Sequence, residues 1–260
     1  MHSFLVESAL LSHGLVSISN EELLGSWPFP KKNIVWLDRG EIVIGQMEDF
    51  LKFRLREDNN SRIDYQFLPR AIKEGISGAL TASGTMAVCE TLGFDLAVTC
   101  GMGGIGDIEA EKLCPDLPAL VDLSVALLSC GPKDVVDIAA SFNWLSDHGI
   151  RVNLIGQDCY SGYIFNSVNL PLPAISVEQV SLEKTGGLLL INQIPSDKKL
   201  DDLTLLKTTM EFAKKAEAEG QHYHPVANAE FDRLTKGYSS YLQFEALKNN
   251  VRLAEDICNP

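Results

Sequence analysis

The stretch Val125-Ala126-Leu127-Leu128-Ser129-Cys130-Gly131-Pro132-Lys133-Asp134-Val135-Val136-Asp137-Ile138-Ala139-Ala140 decides how this chain is read. An apolar run of strand length meets a Gly-Pro turn, and a second apolar segment with helical spacing follows. The pattern predicts a buried strand, a tight turn and a helix with Pro132 near its first position. Lys133 then falls at a helix start, where partial positive charge disfavours a cation and favours an acid such as Asp134. The same field, with partial desolvation, lowers an ammonium pKa and frees the amine to attack a carbonyl. The plainer reading of Lys133 is a surface lysine neutralised by Asp134.

Outward from this unit the same alternation repeats. Phe4-Leu5-Val6-Glu7-Ser8-Ala9-Leu10-Leu11 reads as a strand running into Ser12-His13-Gly14. Residues 33–37 and 41–45 flank Asp38-Arg39-Gly40 as a hairpin, with a glycine where positive φ is needed. Residues 94–100 lead into a glycine-rich loop, and residues 152–156 and 187–191 read as two further buried strands. Helical patterns cover residues 78–92, 133–148, 203–219 and 241–257, and Phe231, Leu234 and Tyr238 form an apolar helical stripe. Residues 46–63 read as a charged, mobile excursion, and Pro171-Leu172-Pro173 as a rigid connector. Strands alternating with helices predict an α/β fold, a three-layer α/β/α arrangement around a mainly parallel sheet. The length fits a single domain over residues 1–260. Ligands of such sheets sit at the carboxyl ends of the strands, where Gly101, Lys133 and Asn192 fall.

Composition narrows the function. A formal charge of −13 excludes a nucleic-acid backbone as the expected partner and requires local donors for any anionic ligand. The six cysteines contain no CxxC pair, and buried thiols in a reducing cytoplasm are the expectation. The first residues carry no basic segment and no long apolar span, so neither a signal peptide nor a membrane helix is expected.

The loop Gly101-Met102-Gly103-Gly104-Ile105-Gly106 matches GxGxxG after a strand. A dinucleotide fold needs a helix at once and an acid at the end of the next strand. Here an acidic, proline-containing segment follows, and the next strand ends in Cys130-Gly131. An anion nest, with backbone N–H groups converging on a phosphate, is the better physical use. A close-packed turn is the alternative.

Several of these pieces, in order, resemble the pseudouridine-5'-phosphate glycosidase family, which also contains indigoidine synthase A-like proteins. They are the segment from Val6 to Gly14, then Gly78-Ala79-Leu80-Thr81-Ala82-Ser83-Gly84-Thr85-Met86, the glycine-rich loop and Ser129-Cys130-Gly131-Pro132-Lys133-Asp134. Thr185-Gly186-Gly187-Leu188-Leu189-Leu190-Ile191-Asn192-Gln193-Ile194-Pro195 and Lys248-Asn249-Asn250-Val251 complete the set. The resemblance implies reversible cleavage of a carbon–carbon glycosidic bond, releasing uracil and ribose 5-phosphate. A carbon leaving group has no lone pair to protonate, unlike the heteroatom of ordinary glycosidases. The family resembles a Schiff-base enzyme instead: ribose opens, a lysine attacks the anomeric carbon, and the electron pair goes to uracil. By position the lysine is Lys133 and the acid/base glutamate is Glu7. Burial at a strand end would raise the Glu7 pKa; without the resemblance Glu7 reads as a solvated carboxylate.

The resemblance further implies that Arg62, Thr81, Ala82, Gly103, Gly104, Cys114, Asp116 and Asn249 bind substrate, and that the protein is a homotrimer. It also implies Mn2+, for which Asp116 and Asp107 are the remaining acids. Lys112 stands at the expected ligand position, and an ammonium cannot ligate a hard cation. Asp107 replaces a family histidine, Arg62 a phosphate-contacting lysine, His224-Pro225-Val226-Ala227-Asn228 a T-P-F-L-L pattern, and Gln243 a substrate-contacting Asn. Two other readings stay open: a homologue respecialised for another sugar phosphate or inactive, and a nucleotide-cofactor oxidoreductase. The pair His222 and His224 could bind a metal if a third ligand arrived.

Overall fold

The computed structural model describes residues 2–59, 61–106, 112–182, 187–221 and 223–259. In chain order its strands are β1 (Phe4–Val6), β2 (Ile34–Asp38), β3 (Glu41–Gly45), β4 (Ser61–Ile63), β5 (Gly78–Leu80) and β6 (Leu96–Val98). After them come β7 (Ala126–Ser129), β8 (Arg151–Ile155), β9 (Cys159–Tyr160), β10 (Leu170–Pro171), β11 (Ala174–Ile175) and β12 (Leu188–Ile191). The helices are α1 (Asn20–Ser26), α2 (Met47–Arg54), α3 (Leu68–Glu74), α4 (Ala82–Leu92) and α5 (Asp116–Asp122). They continue as α6 (Ile138–Asp147), α7 (Leu203–Ala218), α8 (Tyr223–Leu234) and α9 (Tyr238–Cys258).

The large sheet runs β11-β8-β12-β7-β6-β1-β2-β5-β4, with β3 on β2. The pairs from β11 to β2 are parallel, as is β4 with β5, while β3 and β5 run against β2. Adjacent residues of a strand point to opposite faces, so Leu5 and Val6, Leu127 and Leu128, and Leu189 and Leu190 feed opposite apolar layers. One layer receives side chains from α1, α2, α7, α8 and α9, the other from α3, α4, α5 and α6. The expected three-layer α/β/α architecture is the one observed.

One detail of β2 places the functional residues. β3 pairs with every residue of β2 along one edge, so β1 and β5 share the other. β1 meets β2 at Ile34, and β5 meets it further along at Trp36 and Leu37, running the opposite way. β1 and β5 therefore converge end to end, and the Leu80 N–H donates to Ser8 Oγ at 2.9 Å. Glu7 and Thr81, the residues just past each strand, are brought to one rim.

Several sequence expectations are corrected here. The first strand stops at Val6 because Ser8 leaves the sheet to cap β5, and residues Leu10–Gly14 form a π-helical turn. The helix expected over 78–92 is β5 followed by α4, divided by Thr81, whose hydroxyl caps the helix at the Gly84 N–H. The supposed excursion 46–63 contains α2, whose Phe50 and Phe53 pack on Trp36, and β4. The stripe Phe231, Leu234, Tyr238 is broken by a turn at Gly237 (φ +87°), so Tyr238 opens α9. Pro171 pairs in a short ribbon with β9.

Lys133 does not lie at a helix start. The helix begins at Ile138, capped by Asp137, whose carboxylate accepts the Ala140 N–H at 2.9 Å. Residues 131–137 instead run alongside the glycine-rich loop: the Met102 N–H donates to Gly131 O (3.1 Å), Lys133 N–H to Met102 O (3.0 Å) and Asp137 N–H to Ile105 O (2.7 Å). Backbone pairing past the end of the sheet satisfies groups that a helix would have used. The helix-field argument for the Lys133 amine therefore does not apply.

Asn250, fully buried on α9, ties three strand ends together. Its amide donates to Thr99 O at 2.8 Å and to Cys130 Sγ at 3.5 Å, and accepts from Asn192 at 2.9 Å. Asn250→Ala should destabilise the fold by about 1–3 kcal/mol, because the Thr99 carbonyl loses its partner inside the protein. Urea denaturation measures this, and a midpoint equal to wild type would show that Asn250 carries no such load.

Candidate active site

Glu7 stands just past β1, 5% exposed, with its N–H on Val98 O (2.9 Å) and its carboxylate accepting the Thr99 hydroxyl at 2.6 Å. Burial pushes the carboxyl up to about 7; the Thr99 hydrogen bond and the nearby cations Lys133 and Arg62 oppose that rise, and Asp116 adds to it. A carboxyl poised there can give and take a proton near neutral pH.

Lys133 lines a cavity of about 120 Å³ together with Arg62, Thr81, Gly103, Cys114 and Asp116. Arg62 reaches it from β4, and Thr81 from the junction of β5 and α4. Six of the residues expected from the resemblance thus meet in one place. Ala82 and Gly104 stand behind the wall: Ala82 is buried as the first residue of α4, and a side chain on Gly104 would overlap Ser141. Asn249 is elsewhere. It lines a separate cavity of about 450 Å³ with Asn192, Tyr241 and Cys130, while the neighbouring Asn250 faces the core. Gln243 is also withdrawn from the Lys133 cavity, accepting from the Tyr163 hydroxyl at 3.1 Å in the core.

Sequence reasoning missed Asp64, Ser83 and His224 as cavity residues and Thr99 as the partner of Glu7. Ser83 lies inside the quoted Thr81 motif and Asp64 two residues after Arg62, so local spacing offered a weak signal for both. Nothing local links Thr99 to Glu7; strand order does. His224 was considered with His222 as a metal pair, but His222 lies outside the described residues. His13, at the end of the π-helical turn, is driven down to about 4 by burial, with Arg62 and Arg54 adding to the effect, so it is a neutral imidazole.

The glycine-rich loop is not an open anion nest. Its Met102 N–H is held by Gly131 O, Gly103 N–H by Asp116 (2.9 Å), Ile105 N–H by Ser141 Oγ (2.8 Å) and Gly106 N–H by Lys112 O (3.2 Å). None of its glycines has the positive φ that a nest alternates with. A side chain on Gly103 would overlap Cys114, so the glycines serve close packing. The dinucleotide reading finds no support either, since β7 ends in Ser129 with no acid after it.

Asp116 braces this loop against α4, its two oxygens accepting the N–H groups of Ser83 and Gly103 at 2.9 Å each. Manganese prefers several oxygen ligands. Lys112 is exposed and cationic, Asp107 lies outside the described residues, and no group of three metal-binding side chains forms among the described ones. The residues described do not fit a manganese ion. No helix among them is long and apolar enough to cross a membrane.

Comparison with known proteins agrees with this architecture. The pseudouridine-5'-phosphate glycosidase of Petrotoga mobilis is 28% identical over 97% of this chain and 89% of its own length. That of Alkaliphilus metalliredigens is 24% identical over the same shares. The crystal structure of an indigoidine synthase A-like protein from Thermotoga maritima superposes with a TM-score of 0.81 at 22% identity, over 98% of this chain and 91% of that one. The prealnumycin C-glycosynthase, solved with ribulose 5-phosphate, gives 0.78 at 18% identity, over 99% and 90%. At these identities the two structures speak to the fold. The family model for indigoidine synthase A-like proteins matches residues 29–259, and the chain belongs to that family.

Proposed function

We propose that this chain is a C-glycosidase that reversibly cleaves pseudouridine 5'-phosphate to uracil and ribose 5-phosphate. The observation that carries the reading is the lysine on the cavity with a buried carboxyl, poised at about 7, within its electrostatic reach. The names of the curated relatives support the same substrate. Arg62 gives the cavity a second cation to face the phosphate, and a guanidinium grips phosphate oxygens in pairs.

The reaction divides into balanced steps. Glu7 protonates the ring oxygen as its bond to the anomeric carbon breaks, the Lys133 amine forms a new bond to that carbon, and the adduct nitrogen returns a proton to the Glu7 carboxylate. The bond from the anomeric carbon to uracil then breaks. Its electron pair goes to the uracil carbon, which takes the proton back from Glu7, while the nitrogen lone pair forms the double bond that leaves the sugar as an iminium on Lys133. Water adds to the iminium, and the amine departs to release ribose 5-phosphate. No step needs a metal, and the engagement of both Asp116 oxygens supports a metal-independent enzyme. The reading extends to a single domain over residues 1–260, assembled as a homotrimer in the cytoplasm, where the buried free thiols would stay reduced. Incubation with pseudouridine 5'-phosphate, or with uracil plus ribose 5-phosphate, followed by chromatography tests the activity directly.

Lys133→Ala and Lys133→Arg should both abolish turnover while keeping the circular dichroism of the wild type, because a guanidinium cannot shed its proton to form an imine. Borohydride reduction with ribose 5-phosphate should leave a covalent adduct on Lys133; an active enzyme with that lysine unmodified excludes the mechanism.

Glu7 also links activity to stability. Its folded-state pKa, about 7, lies above the ordinary 4.5, so its contribution is fully present below 4.5 and lost as pH rises through about 7. Glu7→Gln should accordingly be more stable than wild type at pH 8 by up to about 3 kcal/mol, the difference vanishing near pH 4. Thermal melts across this range check it, and a pH-independent difference would contradict the burial argument.

Turnover should survive exhaustive chelation with EDTA, and elemental analysis of the purified protein should find no stoichiometric divalent metal. Loss of activity on chelation, restored by Mn2+, would overturn the metal-free reading.

A further inference from the structure

Asp134, the residue after the proposed nucleophile, takes no part in the chemistry above, yet it is 7% exposed and heavily engaged. Its carboxylate accepts the N–H groups of Tyr163 (3.0 Å), Ile164 (2.8 Å) and Phe165 (3.1 Å) and the Ser167 hydroxyl (2.6 Å). Three successive N–H groups converge on one carboxylate here because Gly162 adopts φ +112°, where a side chain would also overlap the Phe165 carbonyl. The far side of the same segment is held by a second buried charge. Lys199, 6% exposed, donates to Gly162 O at 2.6 Å, Ser161 Oγ at 2.7 Å and Gln193 Oε1 at 3.2 Å.

The segment also grips the other side of Lys133, since the Tyr160 hydroxyl donates to Pro132 O at 3.0 Å. With Lys133 N–H on Met102 O, the backbone is fastened before, at and after the lysine. Burial raises the Asp134 carboxyl and lowers Lys199 to about 8, so both charges are held against a desolvation cost. Apolar side chains fill such space as well or better when stability is all that is required. The gap bounded by Lys133, Asp134, Tyr163 and Ile164 is only about 10 Å³, too small for substrate to touch the carboxylate.

We propose that Asp134 is a positioning residue for Lys133: through the 160–167 segment, anchored in turn by Lys199, it fixes the direction in which the lysine amine points. The chemical consequence rests on the reading of Lys133 as nucleophile. Misplacing a nucleophile by on the order of 1 Å costs on the order of 100-fold in rate.

The test compares wild type with Asp134→Asn, which replaces an acceptor oxygen by an amide facing N–H groups, and with the milder Ser167→Ala. Two readouts are taken on Lys133 by peptide mass spectrometry. One is the rate of adduct formation with ribose 5-phosphate and cyanoborohydride; the other is acetylation by acetic anhydride relative to Lys198, whose side chain is 62% exposed. In Asp134→Asn the adduct rate should fall at least about tenfold, and the acetylation ratio should change at least about threefold. Ser167→Ala should move both in the same direction by less, but by more than about twofold. Turnover of pseudouridine 5'-phosphate should lose kcat, with KM kept within about threefold. Both readouts within about twofold of wild type in folded Asp134→Asn would overturn the proposal. Should Asp134→Asn not fold, Ser167→Ala decides by the same limits. If wild type itself forms no adduct, the nucleophile reading fails, and the acetylation ratio alone decides whether Asp134 positions the amine.

Discussion

The pairing of two loops beyond the sheet is the constraint on which the rest of the site depends. Strands β6 and β7 end at Val98 and Ser129, but their backbones stay hydrogen-bonded to each other as far as Ile105 and Asp137. A buried backbone group needs a partner once its strand stops. Here each loop satisfies the other, and Lys133 is carried out on a hydrogen-bonded extension of two segments. The glycines of the 101–106 loop let neighbouring side chains pack directly on its backbone, with Cys114 against Gly103 and Ser141 against Gly104.

Around this extension the charges are sorted by what surrounds them. The chain is strongly acidic overall, so an anionic ligand meets an unfavourable field at long range and must be held by near groups. Arg62 and Lys133 supply two cations at one cavity. Asp116 gives its oxygens to backbone donors, whereas Glu7 accepts from the Thr99 hydroxyl in a buried site. Two acids a short distance apart are thereby given different tasks: one braces the structure and the other can move a proton.

Two residues that the resemblance links to metal or substrate have structural partners in this fold. Asp116 ties the glycine-rich loop to α4 through the Ser83 and Gly103 N–H groups. Gln243, at the place of a family Asn, is tied into the core with Tyr163. The larger cavity lined by Asn192, Tyr241 and Asn249 lies beyond Cys130, joined to the Glu7 side through Asn250 and Thr99.

The sequence by itself determined the layers and most of the sheet. Apolar runs of strand length at β6, β7 and β12 are legible because both faces of each are buried, so apolar residues follow one another there. The hairpin β2–β3 is legible because Arg39 and Gly40, both at positive φ, leave a turn signature. The short strands β4 and β5 were not, and β1 was read too long, since their few residues carry too little periodicity to separate them from their flanks. Tertiary structure alone decided the convergence of β1 and β5 on β2, which puts Glu7 within electrostatic reach of the cavity that Thr81 and Arg62 line. It also decided that α6 begins at Ile138 and not at Pro132: the Gly-Pro turn is a genuine helix-start signal, but pairing with the 101–105 loop offered those backbone groups better partners. Asn249 and Asn250 make the same point within one helix. Sequence placed an amide pair there, and packing against Thr99 and Asn192 chose which of the two turns inward.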